Sequence, residues 1–344
     1  IINPDDHFHS QIVAKSGTTT TFTLPDWITT YEYLIIIKNI SGSVEKWYWL
    51  NSLRGVNKYI SSNATTAETT DANVYSRSGT TGTLGSTLTS GKNYLIEIHK
   101  AGLASETASN EEGSINSAST SANIVSGFSL GLHTGSGANG TIGHGLTSAP
   151  EFTIFKKRDA GGPGARDPIS WHVGLSTTGY LKLNSTNEAK SNATIWNSTA
   201  PSSTLLSVGS NGSSNDSSGS MLSYSWHSSP IQSFGSYEGN GSATEGPFIS
   251  MGMSPNHVFH KCIDSSGKNW TSLSRTIEPS NPAVLQFQFD LTAIPAGSTG
   301  VDLLSNGDKI RTTSGNLNDA VTYIYGAWGG QPMTDGSTTQ SKAK

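Results

Sequence analysis

The stretch "YLIIIKNISGSVEKWYWLNS", Tyr33 to Ser52, contains the pattern that decides the fold. An apolar run ends at Lys38, a polar turn with a glycine follows, and Trp47 then opens a second short apolar run. Apolar, β-branched and aromatic runs on both sides of such a turn predict a β-hairpin. This stretch therefore predicts two antiparallel strands that meet at a polar tip.

The same hairpin pattern occurs twice more. The second copy is "FTIFKKRDAGGPGARDPISWHVGLS", Phe152 to Ser176, and the third is "VFHKCIDSSGKNWTSLS", Val258 to Ser274. The second copy is longer between its lysine and its tryptophan, which predicts an insertion, "GGPGAR", at the hairpin tip. The predicted repeat positions are Lys38, Lys156 and Lys261 for the lysine, and Trp47, Trp171 and Trp270 for the tryptophan.

The copies also share a first strand and a last strand. The phrases "FSLGLHTGSGANGTIGHGL" from Phe128 and "FGSYEGNGSATEGPFISMGM" from Phe234 open two copies, and a weaker version begins at Phe8. The last strands are "NYLIEIHKAG", "SMLSYSWHSS" and "TYIYGAWGGQ", with His99, Trp226 and Trp328 at the matching position. Internal repeats of this kind indicate three tandem modules.

Composition favours an all-β fold. Only 13% of the 344 residues are charged, and 38 are glycines, whereas helical surfaces usually carry many Lys, Glu and Arg residues. Short runs of Val, Ile, Tyr and Trp between Gly, Asn and Ser turns are typical of strands. The predicted class is all-β, with tandem antiparallel β-sandwich modules of jelly-roll type in three related copies.

The predicted boundaries follow the repeats. Module one covers residues 1–126, module two 127–232, and module three 233–344 with a mobile tail from Thr334. The segment 102–126 is small, polar and without periodicity, which predicts a linker. Such a linker would let module one move semi-independently as an anchor, while modules two and three form one rigid unit.

Motifs for catalysis or metal binding are weak. His7 with His9, and His257 with His260, could form metal pairs, but ordinary strand histidines are the preferred interpretation. Serines among glycines lack the strand, elbow and helix of a hydrolase, and the adjacent carboxylates lie in polar segments. We therefore predict no catalytic, cofactor-binding or metal-binding residue, and a protein that is not an enzyme.

Tryptophans could stack on sugar rings, as in carbohydrate-binding modules. A tryptophan that recurs at one repeat position more often has a packing role, which assigns Trp47, Trp171 and Trp270, with Trp226 and Trp328, to the structure of the repeat. Trp196, in "TIWNST", has no counterpart in the other copies. It is therefore the candidate for a surface contact with a glycan.

Charge and hydropathy exclude two classes of partner. The net charge is −4 and no broad basic field is present, which argues against nucleic-acid binding. No apolar run approaches the roughly 20 residues that span a bilayer, so no membrane partner is expected. Cys262 is the single cysteine, which excludes an internal disulfide.

Several long phrases resemble a repeated β-module of tailed-bacteriophage virion proteins, especially those of marine phages. They include "GSINSASTSANIVSGFSLGLHTGSGANGTIGHGL", "TIWNSTAPSSTLLSVGS", "SFGSYEGNGSATEGPFISMGM" and "VDLLSNGDKIRTTSGNLNDAVTYIYGAW", and the resemblance extends from about Ser52 to Trp328. It departs from that pattern where His99 replaces the usual tryptophan. The resemblance implies a virion structural component and supplies no catalytic residue.

The expected function is a non-enzymatic tail fibre or appendage component on the surface of the virion, which could contribute to host attachment. The expected partners are other virion proteins, further copies of the chain, with a trimer favoured, and a host surface glycan or protein. The alternatives are a capsid decoration or head-fibre protein, and a secreted carbohydrate-binding module or glycan hydrolase.

Overall fold

The computed structural model of the chain describes residues 2–42, 44–160 and 166–330. The predicted all-β class is confirmed, because strands in antiparallel sheets dominate the described residues. Each of the three repeats forms one large sheet. The predicted mobile tail from Thr334 and most of the predicted tip insertion, residues 161–165, lie outside the described residues.

The first module has nine strands, β1 to β9. Their bounds are β1 Phe8–Lys15, β2 Thr20–Thr23, β3 Tyr31–Asn39, β4 Tyr48–Asn51, β5 Lys58–Ile60, β6 Thr69–Thr70, β7 Tyr75–Ser78, β8 Thr81–Leu84 and β9 Lys92–Leu103. The main sheet has the order β1-β9-β3-β4-β5-β6, and a small sheet has the order β2-β8-β7. Short 3-10 helices lie at Pro4–Asp6, Asp26–Thr29, Ser52–Arg54 and Ala104–Glu106.

The second module has ten strands and two one-turn helices. Its elements are β10 Ala108–Asn110, β11 Ser117–Asn123, β12 Phe128–Thr134, β13 Gly140–Gly143, β14 Phe152–Lys157, β15 Ile169–His172, β16 Gly179–Lys182, β17 Lys190–Ser191, α1 Ala193–Trp196, β18 Leu205–Val208, α2 Gly212–Asn215 and β19 Ser220–Trp226. The main sheet has the order β10-β11-β12-β19-β14-β15-β16-β17, and β13 pairs with β18.

The third module has eight strands in a single sheet. They are β20 Gln232–Glu238, β21 Phe248–Ser250, β22 Ser254–Cys262, β23 Thr271–Ser274, β24 Ala283–Gln288, β25 Ala296–Leu304, β26 Gly307–Arg311 and β27 Thr322–Gly330. Their order is β20-β27-β22-β23-β24-β25-β26-β21. In all three modules the last strand lies between the strand that opens the repeat (β1, β12 or β20) and the strand that ends near the repeat lysine.

The central strands of the main sheets are buried on both faces, which explains the unbroken apolar run in β3. Tyr33, Ile35 and Ile37 face an outer core that is closed by the small sheet of the first module. Leu34 and Ile36 face the opposite way, into a second core. A strand with two buried faces requires apolar side chains at successive positions rather than at alternate ones.

That second core is shared by all three modules. It includes Leu34 and Trp47 of the first module, Phe152 and Trp226 of the second, and Phe259, Trp270 and Trp328 of the third. A core built from all three repeats ties them together, because separating one module would expose its part of the apolar surface. The shared core is therefore an argument against the expected semi-independent movement of the first module.

The segment 102–126 is not a linker, contrary to the sequence-based prediction. Its strands β10 and β11 add to the edge of β12, so residues 108–123 belong to the sheet of the second module. The Gly102 amide also donates to Ser121 Oγ at 3.0 Å. Small polar residues hid these strands, because backbone hydrogen bonds rather than apolar side chains hold them in place.

Candidate functional site

Strand register identifies the equivalent positions of the three modules. The residue before each repeat lysine pairs across the hairpin with Tyr48 in the first module, Ile169 in the second and Thr271 in the third. The residues immediately before these partners are Trp47, Pro168 and Trp270. The tryptophan position of the second module is therefore occupied by a proline.

Trp171 does not share the repeat position that the sequence alignment gave it. It pairs with Thr153, at the place where the other modules have Leu50 and Leu273. Trp171 packs in the outer core of the second module, whereas Trp47 and Trp270 lie in the shared core. The sequence comparison matched Trp171 to the position that Pro168 occupies, three residues earlier. The inserted tip changes the length of the hairpin loop, so spacing along the sequence did not give the register of the second strand.

The three repeat lysines make the same pair of contacts. Each Nζ is buried and donates to a backbone carbonyl of its own hairpin and to the carbonyl of a threonine in another module. The contacts are Lys38 to Glu45 O (2.8 Å) and Thr292 O (2.8 Å), Lys156 to Arg166 O (2.5 Å) and Thr65 O (2.7 Å), and Lys261 to Lys268 O (2.5 Å) and Thr186 O (3.2 Å).

These contacts run around a closed ring. The lysine of the first module contacts the third, that of the third contacts the second, and that of the second contacts the first. The tryptophans repeat this direction, because Trp47 Nε1 donates to Gln288 O (2.9 Å) and Trp270 Nε1 to Lys182 O (3.0 Å). The modules are thus related by an approximate threefold axis within one chain.

Burial lowers the pKa of each repeat lysine to about 8. The amines therefore remain largely protonated at neutral pH and can donate to several carbonyls at once. None of the three ammonium groups lies within 4 Å of a carboxylate of the described residues. Their role is to satisfy carbonyl groups that meet where two modules join.

His99, Trp226 and Trp328 meet close to the axis. Their ring centroids are 5.2 Å apart for His99 and Trp328, 5.9 Å for His99 and Trp226, and 5.8 Å for the two tryptophans. The last strands of the three repeats therefore converge at one place. The histidine of the first module stands where the other two modules contribute an indole.

A buried contact between a histidine and a glutamate lies beside this aromatic cluster. His257 Nδ1 is 2.7 Å from both carboxylate oxygens of Glu97, and the two side chains come from different modules. His260 faces elsewhere, with Nε2 3.0 Å from Asp308 Oδ2. The two histidines that the sequence suggested as a metal pair, His257 and His260, therefore contact different carboxylates. The described residues contain no group of three or more His, Cys, Asp or Glu side chains that could hold a metal ion.

Ion pairs also join the first and second modules. Arg158 holds Glu68 through Nε at 3.0 Å and Nη2 at 3.1 Å, and Arg54 Nη1 lies 2.6 Å from the same carboxylate. Burial opposes ionisation of Glu68, but the two guanidinium groups outweigh it and lower the pKa of the carboxyl. The polar groups at this contact thus serve to join modules.

Trp196 lies in a core and not on the surface, which corrects its proposed role as a glycan contact. It ends α1, is only 3% exposed, and packs against Phe155 with ring centroids 5.5 Å apart. Its Nε1 donates to Gly179 O at 2.9 Å. Trp196 therefore belongs to the outer core of the second module, and its ring is not available at the surface.

We expect Trp196→Ala to lower the free energy of unfolding by roughly 3–5 kcal/mol, the usual cost of truncating a buried large aromatic. Denaturant unfolding followed by circular dichroism measures this change. Trp196→Phe keeps most of the packing and should cost clearly less. If both variants unfolded like the parent chain while a glycan interaction disappeared, the core assignment would be wrong.

In the described part of the chain, no helix is both long and apolar enough to cross a membrane. No curated protein matches the sequence. A family model described as a domain of unknown function, DUF7483, matches residues 3–332. That match covers all three modules and nearly the whole sequence, so the chain belongs to the DUF7483 family.

Proposed function

We propose that this chain is a non-enzymatic structural component of a tailed-phage particle, exposed on the virion surface as part of a tail fibre or appendage. The observation that supports this proposal best is the closed ring of three modules. Its lysines, tryptophans and ion pairs are used at contacts between modules. A chain whose buried polar groups join its own repeats is suited to forming a rigid building block.

The approximate threefold axis suggests where such a block would sit. Trimeric appendages and many capsid positions present threefold symmetry, and a ring of three similar modules can match it with one chain. A capsid decoration protein is the second candidate, because the three modules share one core and do not form an extended array. Both candidates place the chain on the outer surface of a particle.

The carbohydrate-binding alternative has less support. Of the eight tryptophans in the chain, seven are buried, and Trp27 is partly exposed beneath Lys100, whose Nζ lies 5.6 Å from the ring centroid. Aromatic sugar platforms need an exposed ring face. Contact with a host glycan is therefore a weaker proposal than contact with other virion proteins.

We expect the purified chain to be a monomer of about 36 kDa, measured by size-exclusion chromatography with light scattering. A trimer was expected from the fibre-like character of the sequence. Here the threefold arrangement is completed within one chain, so the module-to-module contacts need no second copy. A stable mass of three chains at micromolar concentration would contradict this expectation.

The decisive test is whether the chain is part of a particle. Purified virions should contain its peptides by mass spectrometry, and a density map should place a three-lobed feature on or near a threefold axis. An otherwise identical phage that lacks the gene should lose that feature. Particles without the chain, or the chain on the surface of uninfected cells, would overturn the proposal.

A further inference from the structure

We propose that the free edge of β1 accepts an extended segment of another virion polypeptide, which adds a strand in the groove between the first and third modules. The groove has a volume of about 680 Å³. Phe8 to Ser10 line one side, and Ser254 to Asn256 with Gly329 and Gly330 line the other. The identity of the partner as a virion protein rests on the proposed function.

The equivalent site in the second module already holds a strand. Its first strand, β12, corresponds to β1, and the Phe128–Leu130 segment pairs with residues 121–123 of β11. Strand β11 also contacts the last strand of the neighbouring module, because Asn123 Nδ2 donates to Lys100 O at 3.1 Å. The chain therefore contains one filled example of the interaction that we propose for β1.

The third equivalent site is closed by the chain itself. Residues 227–231 connect β19 to β20, and Gln232 Nε2 donates to His227 O at 2.7 Å. Phe234 N also donates to Ser228 Oγ at 3.1 Å. Of three related junctions, one is filled by β11, one is closed by a short connection, and the one beside β1 is an open groove.

The outer edge of β1 has backbone N–H and C=O groups that can pair with another strand. Only β9 pairs with β1 among the described residues. Lys100 N donates to His7 O at 2.9 Å, so the alternation of an antiparallel ladder directs the N–H and C=O groups of Phe8, Ser10 and Ile12 towards the free edge. An unpaired edge of this kind is the usual template for strand addition.

Side chains in the groove indicate the chemistry of the incoming segment. Arg275 uses Nε and Nη2 to bind Pro255 O (3.2 Å) and Leu303 O (2.7 Å), and no carboxylate of the described residues lies within 4 Å of its guanidinium. His9 Nε2 is buried and has no hydrogen-bond partner among the residues that the structure describes. A segment with small side chains, as in β11, and one carboxylate near Arg275 fits these groups.

Amide hydrogen exchange tests the proposal on the full chain, alone and within purified particles. In the isolated chain, the outward amides of residues 8–15 should exchange rapidly. In the particle they should exchange at least about tenfold more slowly, while residues 232–238 serve as an internal reference for an edge that gains no strand. Equal exchange of residues 8–15 in the two states would overturn the proposal.

A pair of variants gives a second readout. Ser10→Pro removes an outward N–H from an edge strand, where proline is tolerated, and Ser10→Ala removes the same hydroxyl but keeps the N–H. Both variants should keep the fold, which circular dichroism checks, but only Ser10→Pro should reduce incorporation into particles, by at least about tenfold. Equal incorporation of the two variants would overturn strand addition at this edge.

Other occupants give distinct results. The outward amides of residues 8–15 could exchange slowly in the isolated chain but rapidly in a variant that ends at Gly330. That result would assign the groove to the chain's own last residues, against the proposal. Slow exchange that increases with protein concentration would assign it to a second copy, also against the proposal. Absence of the chain from particles would refute the proposed function and this partner together, whereas a particle-bound chain with an unprotected edge refutes only the groove.

Discussion

Acidification from pH 7 to pH 5 is expected to lower the free energy of unfolding by about 7 kcal/mol. Burial lowers the pKa of His99 to about 3 and of His133, His144 and His172 to about 4. The ordinary value of about 6.5 applies once the chain unfolds, so below pH 6.5 the unfolded state binds more protons than the folded state. The stability contributed by these neutral imidazoles is complete above pH 6.5 and is lost as the pH falls towards 4.

The size of the acid effect follows from the four shifts. Each histidine costs about 1.4 kcal/mol per pH unit below 6.5, so four of them remove roughly 8 kcal/mol by pH 5. Asp290 acts in the opposite direction, because burial raises its pKa to about 6 and the folded state gains its proton first. That gain is about 1 kcal/mol at pH 5, so a net loss of about 7 kcal/mol remains, which is comparable with the free energy of unfolding of a typical domain, about 5–15 kcal/mol.

The measurement is the free energy of unfolding in urea at several pH values between 4.5 and 8. His133→Leu removes one titrating group, and its intrinsic packing effect is measured at pH 8, where imidazoles are neutral in both states. After that correction, the variant should retain about 2 kcal/mol more stability than the parent at pH 5. A parent chain whose stability is constant between pH 7 and pH 5 would contradict the expected role of the buried histidines.

The second large effect is expected for Trp270→Ala. The indole is fully buried in the shared core, lies 5.5 Å from the Phe259 ring and donates to Lys182 O of the second module. Its loss should cost roughly 3–5 kcal/mol, or about 4–7 °C in the melting temperature of a chain of this length. Because the core is common to the three modules, all of them should unfold earlier, in one transition.

Calorimetry and hydrogen exchange distinguish this outcome from local damage. A shared core predicts that the calorimetric and van't Hoff enthalpies agree and that all three main sheets lose protection together. Trp270→Phe is the matched control, since it keeps an aromatic ring and loses the Nε1 hydrogen bond, and it should cost less. A separate early transition confined to residues 232–330 would mean that the modules unfold independently, against the shared core.

Repeats were readable from the sequence because the hairpin and the last strand use the same residue types each time. The matching of His99 with Trp226 and Trp328 followed from position in those runs, and the three side chains do meet at the axis. Trp171 was misplaced because the inserted tip obscured the register, which only strand pairing resolves. Trp196 was misplaced because a residue without a counterpart can be buried just as well as exposed.

The sequence by itself determined the all-β class and the threefold repetition, since both depend on local patterns of apolar residues and turns. Tertiary structure alone decided how the repeats are arranged. The partners of Lys38, Lys156 and Lys261 are backbone carbonyls of other modules, and every residue has a carbonyl, so no residue type reveals such a contact. The closed ring and the open edge of β1 therefore follow from long-range packing and not from any motif.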